Sequence, residues 1–373
     1  MTEAPKPKLL FVGAFPPPES RIVGGMVTAC RALVEAGLAD RVDLRPLDTT
    51  QISNPPPPLI RRAGLAIGRF AVLLRQLAFN RPDAVLLFSS SGASLFEKGA
   101  GAWAARLLGI PALIFPRAGV IIDQYRQSSR KRRVIRLAFA GAARILCQGQ
   151  RWQDFAVDEL GFERAHAPII PNWSATPELL TIGAKRRPTE GSAPCRLIYV
   201  GWLEERKGVL DLIRASAPLL AGGKATLDLV GDGHARPSAE ALVAELNIAD
   251  RVTFHGWKTG AALHELLAAV DVFALPSWAE GLPNAMIEAM AAGLPVVVSD
   301  VGNISDHIVD GENGLLVQPK DIAGLQLVLE RVVTDRQLRL NLGAAAYATA
   351  STRFAVDRAI DQIVAAVQDA ARR

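Results

Sequence analysis

The chain has 373 residues, 50% of them apolar, which is enough to bury the cores of two domains of ordinary size. Its charge is uneven, because residues 1–175 hold 23 Lys and Arg against 13 Asp and Glu and the remainder holds 19 against 24, so the first part favours anionic partners. The three cysteines share no metal-ligand or redox spacing, and we expect buried thiols in a reducing, cytoplasmic compartment. We expect neither a membrane span nor a signal peptide, because no stretch is apolar enough and residues 1–8 are polar.

Strand-like apolar runs alternate with helical patterns along the whole chain, which predicts parallel sheets covered on both faces. The predicted strands of the first half are 8–13, 41–45, 84–88, 111–115 and 143–147. A second series follows at 196–201, 225–230, 251–254, 271–275, 295–298 and 314–317, and an amphipathic helix covers about 353–371.

This order predicts an α/β fold with two Rossmann-like, doubly wound domains that face a cleft, where ligands bind beyond the carboxyl ends of the strands. The first domain is expected over 1–175 and the second over 195–352. Between them, the polar, basic and Gly/Pro-bearing segment 176–194 is predicted to be a linker. The terminal helix, 353–373, is expected to pack back on the first domain.

The segment Pro276–Val297 lies between two predicted strands and carries Glu280 in a loop and Glu288 in a helix. The helix is predicted to begin near Pro283, because proline suits the first helical turn, where its missing N–H costs nothing. The backbone N–H groups of that turn form an anion site at the sheet edge. Eight helical residues span about 12 Å, whereas the carboxylates of a glycosidase are about 5–9.5 Å apart. The spacing therefore favours a ligand with hydroxyls at both ends and an anion between them, such as a nucleotide sugar.

With Pro-Ser near its start, Gly-Leu-Pro inside it and Ala-Ala-Gly-Leu-Pro-Val-Val at its end, this segment resembles the donor-binding motif of glycosyltransferase family 4, retaining enzymes of the GT-B fold. The resemblance implies that Glu288 holds the ribose hydroxyls and Glu280 those of the transferred sugar. It also implies that Gly281 and Leu282 present amides to the sugar and the diphosphate. The resemblance covers nearly the whole chain, but it is rich in motifs only from about 196 to 319.

The segment Gly201–Gly208 follows the first strand of the second domain, where family members carry Gly-Arg-Leu…Lys-Gly with both cations on the diphosphate. Lys207 matches the lysine and is expected to stabilise charge as the glycosidic bond breaks. Trp202 stands where the arginine usually is, so either Arg206 supplies part of the charge, or diphosphate binding depends on Lys207 and the helix amides. The turn Val230–Gly233, with Gly231, resembles the family's Gly-x-Gly turn in the nucleotide pocket.

In the first domain, Gly24 and Gly25 join the first strand's loop to a helix, and the resemblance places them against donor phosphate and the acceptor. Many relatives carry a histidine on the loop after the fourth strand, where this chain has Arg117. Arg117 either takes that place or binds an anionic part of the donor or acceptor. His255, after the third strand of the second domain, is expected to be structural rather than a ligand.

The segment Arg126–Arg136 packs six cations beside an apolar helical pattern, and Arg61, Arg62, Arg69 and Arg75 lie in another such pattern. Basic amphipathic helices favour anionic lipid head groups by about 1 kcal/mol per cation. We therefore expect a peripheral contact with an anionic membrane surface and a saccharide or lipid-linked saccharide acceptor. A merely solvated cationic face is the alternative. Nucleic acid is not expected, because neither interleaved aromatic residues nor a known module is present.

The expected function is retaining transfer of a hexose or related sugar from a UDP- or GDP-sugar to a saccharide, in cell-surface polysaccharide or glycoconjugate synthesis. No Asp-x-Asp occurs in the chain, so we expect no metal and no other cofactor. A catalytically silent nucleotide-sugar-binding subunit stays open, favoured by the departures at Trp202 and Arg117. A non-hydrolysing sugar-nucleotide epimerase shares the architecture and the donor, but it needs acid/base residues that the sequence does not show.

Overall fold

The computed structural model describes residues 6–17, 25–50, 59–186 and 194–372. It divides into two compact units, of which the first is Met1–Asn172 with Val356–Arg373 and the second is Trp173–Ala355. Both units are α/β with parallel sheets, which confirms the predicted fold class. The predicted cleft between the two domains stays a prediction. Within the described ranges, no helix combines the length and the apolar character needed to cross a bilayer.

The first unit has a five-stranded sheet in the order β2-β1-β3-β4-β5. Its strands are β1 (Lys8–Gly13), β2 (Asp43–Asp48), β3 (Ala84–Ser89), β4 (Ala112–Pro116) and β5 (Arg144–Ile145). Its helices are α1 (Gly25–Glu35), α2 (Leu38–Arg41), α3 (Leu59–Arg75), α4 (Ala93–Leu107), α5 (Val120–Gln127), α6 (Ser129–Phe139) and α7 (Gln150–Asp154), with π-helical turns at Gln76–Asn80 and Phe155–Glu159 and a 3₁₀ turn at Arg164–His166. The chain leaves β1 toward β2 and then returns to β3 on the other side of β1. The winding of the sheet therefore reverses between β1 and β3.

The second unit has a six-stranded sheet in the order β11-β10-β9-β6-β7-β8. Its strands are β6 (Cys195–Val200), β7 (Ala225–Val230), β8 (Val252–Gly256), β9 (Val272–Leu275), β10 (Val296–Ser299) and β11 (Leu315–Val317). Its helices are α8 (Pro177–Lys185), α9 (Val209–Ala221), α10 (Arg236–Glu245), α11 (Ala261–Ala269), α12 (Asn284–Ala291), α13 (Ile322–Thr334) and α14 (Arg336–Arg353), with 3₁₀ turns at Glu205–Lys207 and Ala249–Arg251. Here the winding reverses between β6 and β9, so the loops that follow these two strands meet.

The last helix, α15 (Val356–Ala371), belongs to the first unit. Its apolar face is buried, including Ile360, Ile363 and Val367. Two ion pairs tie it to that unit: Arg41 Nη1 donates to Asp361 Oδ1 at 2.8 Å, and Arg144 donates to Asp369. The amphipathic helix predicted for this region is confirmed.

The three cysteines, Cys30, Cys147 and Cys195, are buried free thiols, as predicted. Burial raises the pKa of Cys30 to about 11 and those of the other two to about 12. The thiolate is the reactive form of cysteine. These thiols therefore pack as small apolar groups in the core.

The linker predicted over 176–194 is wrong in its first half, because Pro177–Lys185 forms α8. Thr176 caps this helix by accepting a hydrogen bond from the Leu179 N–H at 3.5 Å, and a proline occupies the first turn. Leu179 is buried, and α8 packs against α12 and α14. The sequence prediction missed this short capped helix, because the residues that follow it are polar and basic. The rest of the predicted linker, 187–193, lies outside the described residues.

Candidate functional site

The loops after β6 and β9 lie against each other at the reversal point of the second sheet. Gly208 has a φ of +70°, and a Cβ at this position would overlap the carbonyl of Pro276. The N–H of Trp278 donates to the carbonyl oxygen of Arg206 at 2.8 Å. Only glycine permits this backbone approach, and the approach brings the side chains of the two loops together.

Lys207 and Glu280 form an ion pair across these loops, with the Lys207 ammonium donating to Glu280 Oε1. Ser277 Oγ donates to the same carboxylate oxygen at 3.1 Å. The Glu280 and Lys207 side chains are only 10% and 17% exposed. A charge pair that is shielded from water interacts more strongly than a surface pair. The two residues predicted to act on the sugar and the diphosphate are therefore brought together.

The Glu280 loop is held by contacts that sequence reasoning missed. Trp278 Nε1 donates to Asp211 Oδ2 at 2.7 Å, linking the loop to α9. Gly302 has a φ of +66°, and a Cβ there would overlap the carbonyls of Glu280 and Gly281. The N–H of Asn303 donates to Gly281 O at 2.8 Å. These partners are far apart in the chain, and no local pattern pairs them.

Helix α12 begins at Asn284, which confirms the predicted start near Pro283, although the proline is the N-cap rather than a residue of the first turn. Gly281 and Leu282 lie in the loop just before it, and the Leu282 side chain is buried in the core. The first turn of a helix has N–H groups without intrahelical partners and carries the positive end of the helix dipole. The N-terminal end of α12 therefore adds hydrogen-bond donors and positive electrostatic potential beside the Glu280 loop.

Glu288 lies in the second turn of α12 and is partly buried. Burial raises the pKa of this carboxyl group to about 7. Among the described residues, no cation or hydrogen-bond donor offsets that effect. Glu288 thus exchanges its proton near neutral pH, and a ligand hydroxyl that donates to it would favour the ionised form.

The turn predicted to line the nucleotide pocket packs against the segment after β6. Gly231 has a φ of +136°, and a Cβ there would overlap the carbonyl of Gly201. A Cβ on Gly233 would overlap the carbonyl of Leu203, whose N–H donates to Asp232 O at 3.0 Å. The two glycines are therefore needed for the contact between these loops.

Trp202 packs edge-on against Trp257, with ring centroids 4.6 Å apart. Arg206 forms an ion pair with Glu204, with 2.7 Å between Nε and Oε2, and its side chain is 56% exposed. The structure therefore engages Arg206 with its own loop rather than with the Lys207–Glu280 pair. His255 donates from Nε2 to the buried Asp228 at 2.7 Å, and Arg196 donates to the same carboxylate at 3.0 Å, a structural arrangement.

In the first unit, Gly25 is the first residue of α1, whereas Gly24 lies outside the described residues. Arg117 follows β4, and its guanidinium stacks on the rings of Phe88 and Phe115, 5.7 and 5.0 Å from their centroids. Burial lowers the pKa of Arg117 to about 10. The ligand roles of these three residues stay predictions.

Residues 194–335 match the family model described as "Glycosyl transferases group 1". The lipopolysaccharide core biosynthesis glycosyltransferase LpsE of Rhizobium meliloti is 33% identical over 205 residues, which is 55% of this chain and 58% of the relative. The 2-deoxystreptamine glucosyltransferase of Streptomyces kanamyceticus is 31% identical over 252 residues, which is 63% of this chain and 65% of the relative. The chain thus spans less than two thirds of the length of these relatives.

Two solved structures share the fold along nearly the whole chain. Sucrose-phosphate synthase from Thermosynechococcus elongatus gives a TM-score of 0.75 at 20% identity, covering 97% of this chain and 98% of that one. Anabaena Alr3699/HepE in complex with UDP gives a TM-score of 0.70 at 21% identity, covering 97% and 100%. The fold of the chain is that of the GT-B glycosyltransferases.

Proposed function

We propose that this protein is a glycosyltransferase that moves a sugar from a nucleoside diphosphate to an acceptor. The match over residues 194–335 and the relatives named as glycosyltransferases support this class of enzyme. The Lys207–Glu280 pair carries the proposal. It lies inside the matched range, at the reversal point of a doubly wound sheet, where such sheets bind ligands.

Lys207 is the cation that offsets the charge growing on the diphosphate as the glycosidic bond breaks. Its ammonium has three N–H donors, one of which goes to Glu280. The remaining donors and the N-terminal end of α12 together bind the phosphate oxygens. Arg206 is an outer contributor at most, because Glu204 already binds it.

Glu280 holds the hydroxyls of the transferred sugar. The hydrogen bonds from Lys207 and Ser277 both end on Oε1, so Oε2 is the oxygen that accepts from the sugar. Gly281 and Leu282 present their amides to the sugar and the diphosphate. Glu288, one helical turn into α12, accepts from the ribose hydroxyls, and the turn at Gly231 lines the nucleotide.

The donor is a UDP- or GDP-sugar with a hexosyl group. The Anabaena relative of the same fold was solved in complexes with UDP and with UDP-glucose, which favours UDP as the first ligand to test. A metal ion is not needed to offset the charge of the diphosphate, because Lys207 and the N-terminal end of α12 already supply positive charge there. We therefore propose a reaction without a metal or another cofactor.

The transfer retains the configuration of the sugar. The bond from the sugar's anomeric carbon to the departing phosphate oxygen breaks while the acceptor oxygen bonds to that carbon on the same face. The acceptor's proton passes to the departing phosphate oxygen. This route needs no separate protein base, which agrees with the engagement of Glu280 by a lysine and a serine.

The acceptor is a saccharide, lipid-linked in our proposal, and it binds the first unit. Two relatives named for lipopolysaccharide core biosynthesis support this class of acceptor. Helix α6 exposes Arg130, Arg133 and Arg136 together with Leu137, which is 62% exposed. Such a face suits an anionic membrane surface. We propose a cytoplasmic protein that binds this membrane surface peripherally. In this proposal Gly24 and Gly25 contact donor phosphate and the acceptor. Arg117 contacts either the transferred sugar or an anionic part of the donor or acceptor.

A silent nucleotide-sugar-binding subunit is the second candidate. Trp202 favours it, because an aromatic pair with Trp257 stands where family members carry a cation. Both candidates bind nucleoside diphosphates, so only an assay of sugar transfer separates them.

Glu280→Ala provides the test of the enzyme. Sugar transfer from a panel of UDP- and GDP-sugars should fall by about 100-fold or more. The affinity for UDP should stay the same or rise, because the variant removes a carboxylate that competes for Lys207. Glu312→Ala, on an exposed turn of the same unit, is the matched control. Transfer that is unchanged in Glu280→Ala would reject the assignment, and no transfer by the unaltered protein would favour the silent subunit.

A further inference from the structure

The first unit contains a cavity of about 740 Å³ at the carboxyl edge of its sheet. Its lining includes Gly13 at the end of β1, Thr49 just after β2, and Phe88 and Ser90 around the end of β3. Helices α1, α3 and α4 contribute the rest of the wall. The cavity therefore lies where the winding of this sheet reverses, between β1 and β3, which is the place at which such sheets bind ligands. Its volume is in the range of small-molecule sites.

The wall of this cavity is largely apolar. Leu65, Ile67 and Phe70 contribute from α3, and Phe96 contributes from α4. Ile67 is 72% exposed and Phe96 is 46% exposed. Apolar side chains that line a cavity and remain open to water gain free energy when an apolar ligand covers them.

The charged residues of the wall have an excess of positive charge. Arg62, Arg69 and Lys98 line the cavity, and Glu97 is the one carboxylate in the described lining. Arg69 holds Glu97 with two parallel hydrogen bonds, Nε to Oε1 at 2.8 Å and Nη2 to Oε2 at 2.9 Å. This bidentate pair neutralises the carboxylate, so Glu97 does not supply a full counter-charge to the remaining cations.

Lys98 is the buried cation among the charged residues that line the cavity. It is 3% exposed, and its ammonium lies 3.6 Å from the Glu97 oxygen that already binds Arg69. Burial lowers the pKa of Lys98, although the charge of Glu97 opposes this. The nearby Asp48 accepts hydrogen bonds from the N–H groups of Phe15 and Thr50 at 2.9 and 2.8 Å. A buried cation with a shared counter-ion is stabilised when an anion binds beside it.

We propose that this cavity binds an amphiphilic anion, with an alkyl chain on the Leu65–Phe70 and Phe96 wall and a phosphate or carboxylate at Lys98. In the reaction proposed above, on which this role depends, the ligand is the acceptor, or the lipid-proximal part of it. A second nucleotide is disfavoured, because Glu97, the one carboxylate in the described lining of the cavity, is engaged by Arg69 and not offered to ribose hydroxyls. The lipid phosphate and the fatty acid share this chemistry, and the experiment distinguishes them.

The test is calorimetric titration of the full chain with octyl phosphate, octanoate, 1-octanol and inorganic phosphate, each below its aggregation limit. We expect at least one octyl anion to bind about tenfold or more tightly than both octanol and inorganic phosphate. The tighter of the two anions identifies the head group. Equal binding of octanol and both anions, or binding of none of them, would overturn the proposal.

Lys98→Met keeps the length of the side chain and removes the charge, while Arg69 still holds Glu97 with its two hydrogen bonds. It should abolish the preference for the octyl anion over octanol, whereas Lys224→Met, at an exposed lysine of the second unit, should preserve it. Phe96→Ser should weaken the binding of octanol and of the octyl anion alike. An unchanged preference for the octyl anion in the Lys98→Met protein would contradict the site.

Failure of this inference can be told apart from failure of the proposed function. Glu280→Ala should leave octyl phosphate binding unchanged, and Lys98→Met should leave UDP binding unchanged. Octyl phosphate binding without UDP binding would reject the donor site and keep the cavity. UDP binding and sugar transfer without any octyl anion binding would reject the cavity and keep the donor site.

Discussion

Lys207 and Glu280 neutralise each other in a partly buried position, so each residue affects what the other can bind. The ammonium has donors left for phosphate oxygens, and the carboxylate has Oε2 left for a hydroxyl. A ligand that contacts both residues can therefore be stabilised as negative charge develops on it during the reaction. A buried ion pair by itself adds little to the stability of the fold, because the desolvation penalty offsets most of the attraction between the two charges.

Lys207→Ala should weaken the binding of UDP more than that of uridine. We expect a loss of about tenfold or more for UDP, because a charge-assisted hydrogen bond to phosphate is removed, and less than about twofold for uridine. Calorimetric titration of both ligands provides the measurement. Arg206→Ala is the control and should change neither value by much, because Arg206 is exposed and paired with Glu204. Equal losses for UDP and uridine would mean that Lys207 does not contact phosphate.

Glu288 predicts a pH dependence of nucleotide binding. Its pKa is raised to about 7 by burial, and donation from ribose hydroxyls would lower that value in the complex. Binding then releases a proton, so the affinity for UDP should increase as the pH rises from 6 to 8. Glu288→Gln should remove most of this dependence. A dependence that persists in Glu288→Gln would assign the titration to another group.

The raised pKa of Glu288 also affects the free energy of unfolding, which should decrease as the pH rises, whereas the affinity for UDP should increase. The folded pKa of Glu288 lies above its ordinary value of 4.5, so folding favours the protonated form. The contribution to the free energy of unfolding is therefore lost as the pH rises from about 4.5 to about 7. Glu288→Gln should be more stable than the unaltered protein at pH 8 and nearly equal to it at pH 5. Denaturant unfolding at the two pH values checks this, and a gain of the same size at both would contradict it.

Gly208 allows the loops after β6 and β9 to approach each other closely. Gly208→Ala should lower the free energy of unfolding by more than the about 1–2 kcal/mol expected for a left-handed alanine, because its Cβ would overlap the Pro276 carbonyl. It should also weaken UDP binding, since Lys207 immediately precedes Gly208 in the chain. Gly311→Ala is matched in φ, at +76°, but has open space around its Cβ. Similar losses of stability and affinity in both variants would argue against the close approach.

Helix α6 presents its cations on its exposed surface. The helix contains five cations and no acidic residue. Arg130, Arg133 and Arg136 are exposed. A basic surface with exposed apolar side chains between its cations is typical of peripheral membrane binding.

Neutralising Arg130, Arg133 and Arg136 together to Gln should lower binding to anionic phospholipid vesicles by about 100-fold, at about 1 kcal/mol per cation. Vesicle sedimentation at low salt provides the measurement, and added salt should reduce the difference. The control replaces three exposed cations of the second unit, Lys224, Lys258 and Arg331, by Gln. Equal vesicle binding by both triple variants would reject α6 as the contact.

The elements that sequence analysis predicted well are those whose apolar pattern is complete. Strand β3 is buried throughout, and α12 has a proline cap at its start. The edge strand β2 was displaced by a few residues, since it contains Pro46 and has only one buried position. The helix α8 was missed, because Leu179 is its single fully buried residue and basic residues follow it in the sequence.

The candidate site was predictable in its charged residues and not in its supports. Glu280 and Lys207 follow strands in recognisable motifs. Asp211 and Gly302 act through contacts with distant residues, Trp278 and the Glu280 carbonyl, and nothing in their own neighbourhoods indicates this. The cavity around Lys98 was also missed, because its charge balance depends on the pairing of Arg69 with Glu97.

The two units differ in charge as whole bodies. The first unit holds 26 Lys and Arg against 16 Asp and Glu, and the second holds 16 against 21. The positive unit carries the α6 surface and the cavity with excess cations, whereas the negative unit holds Lys207 in a mostly buried pair with Glu280. This division suits a protein in which one unit binds an anionic acceptor surface and the other binds one diphosphate at a defined point.

The most direct test is calorimetric titration of the purified chain with UDP and with GDP, side by side in buffer that contains a metal chelator. The account predicts that one of the two binds with micromolar or better affinity and that Lys207→Ala loses most of that affinity. Binding of neither nucleotide, or equal binding by Lys207→Ala, would contradict a diphosphate site at the Lys207–Glu280 pair.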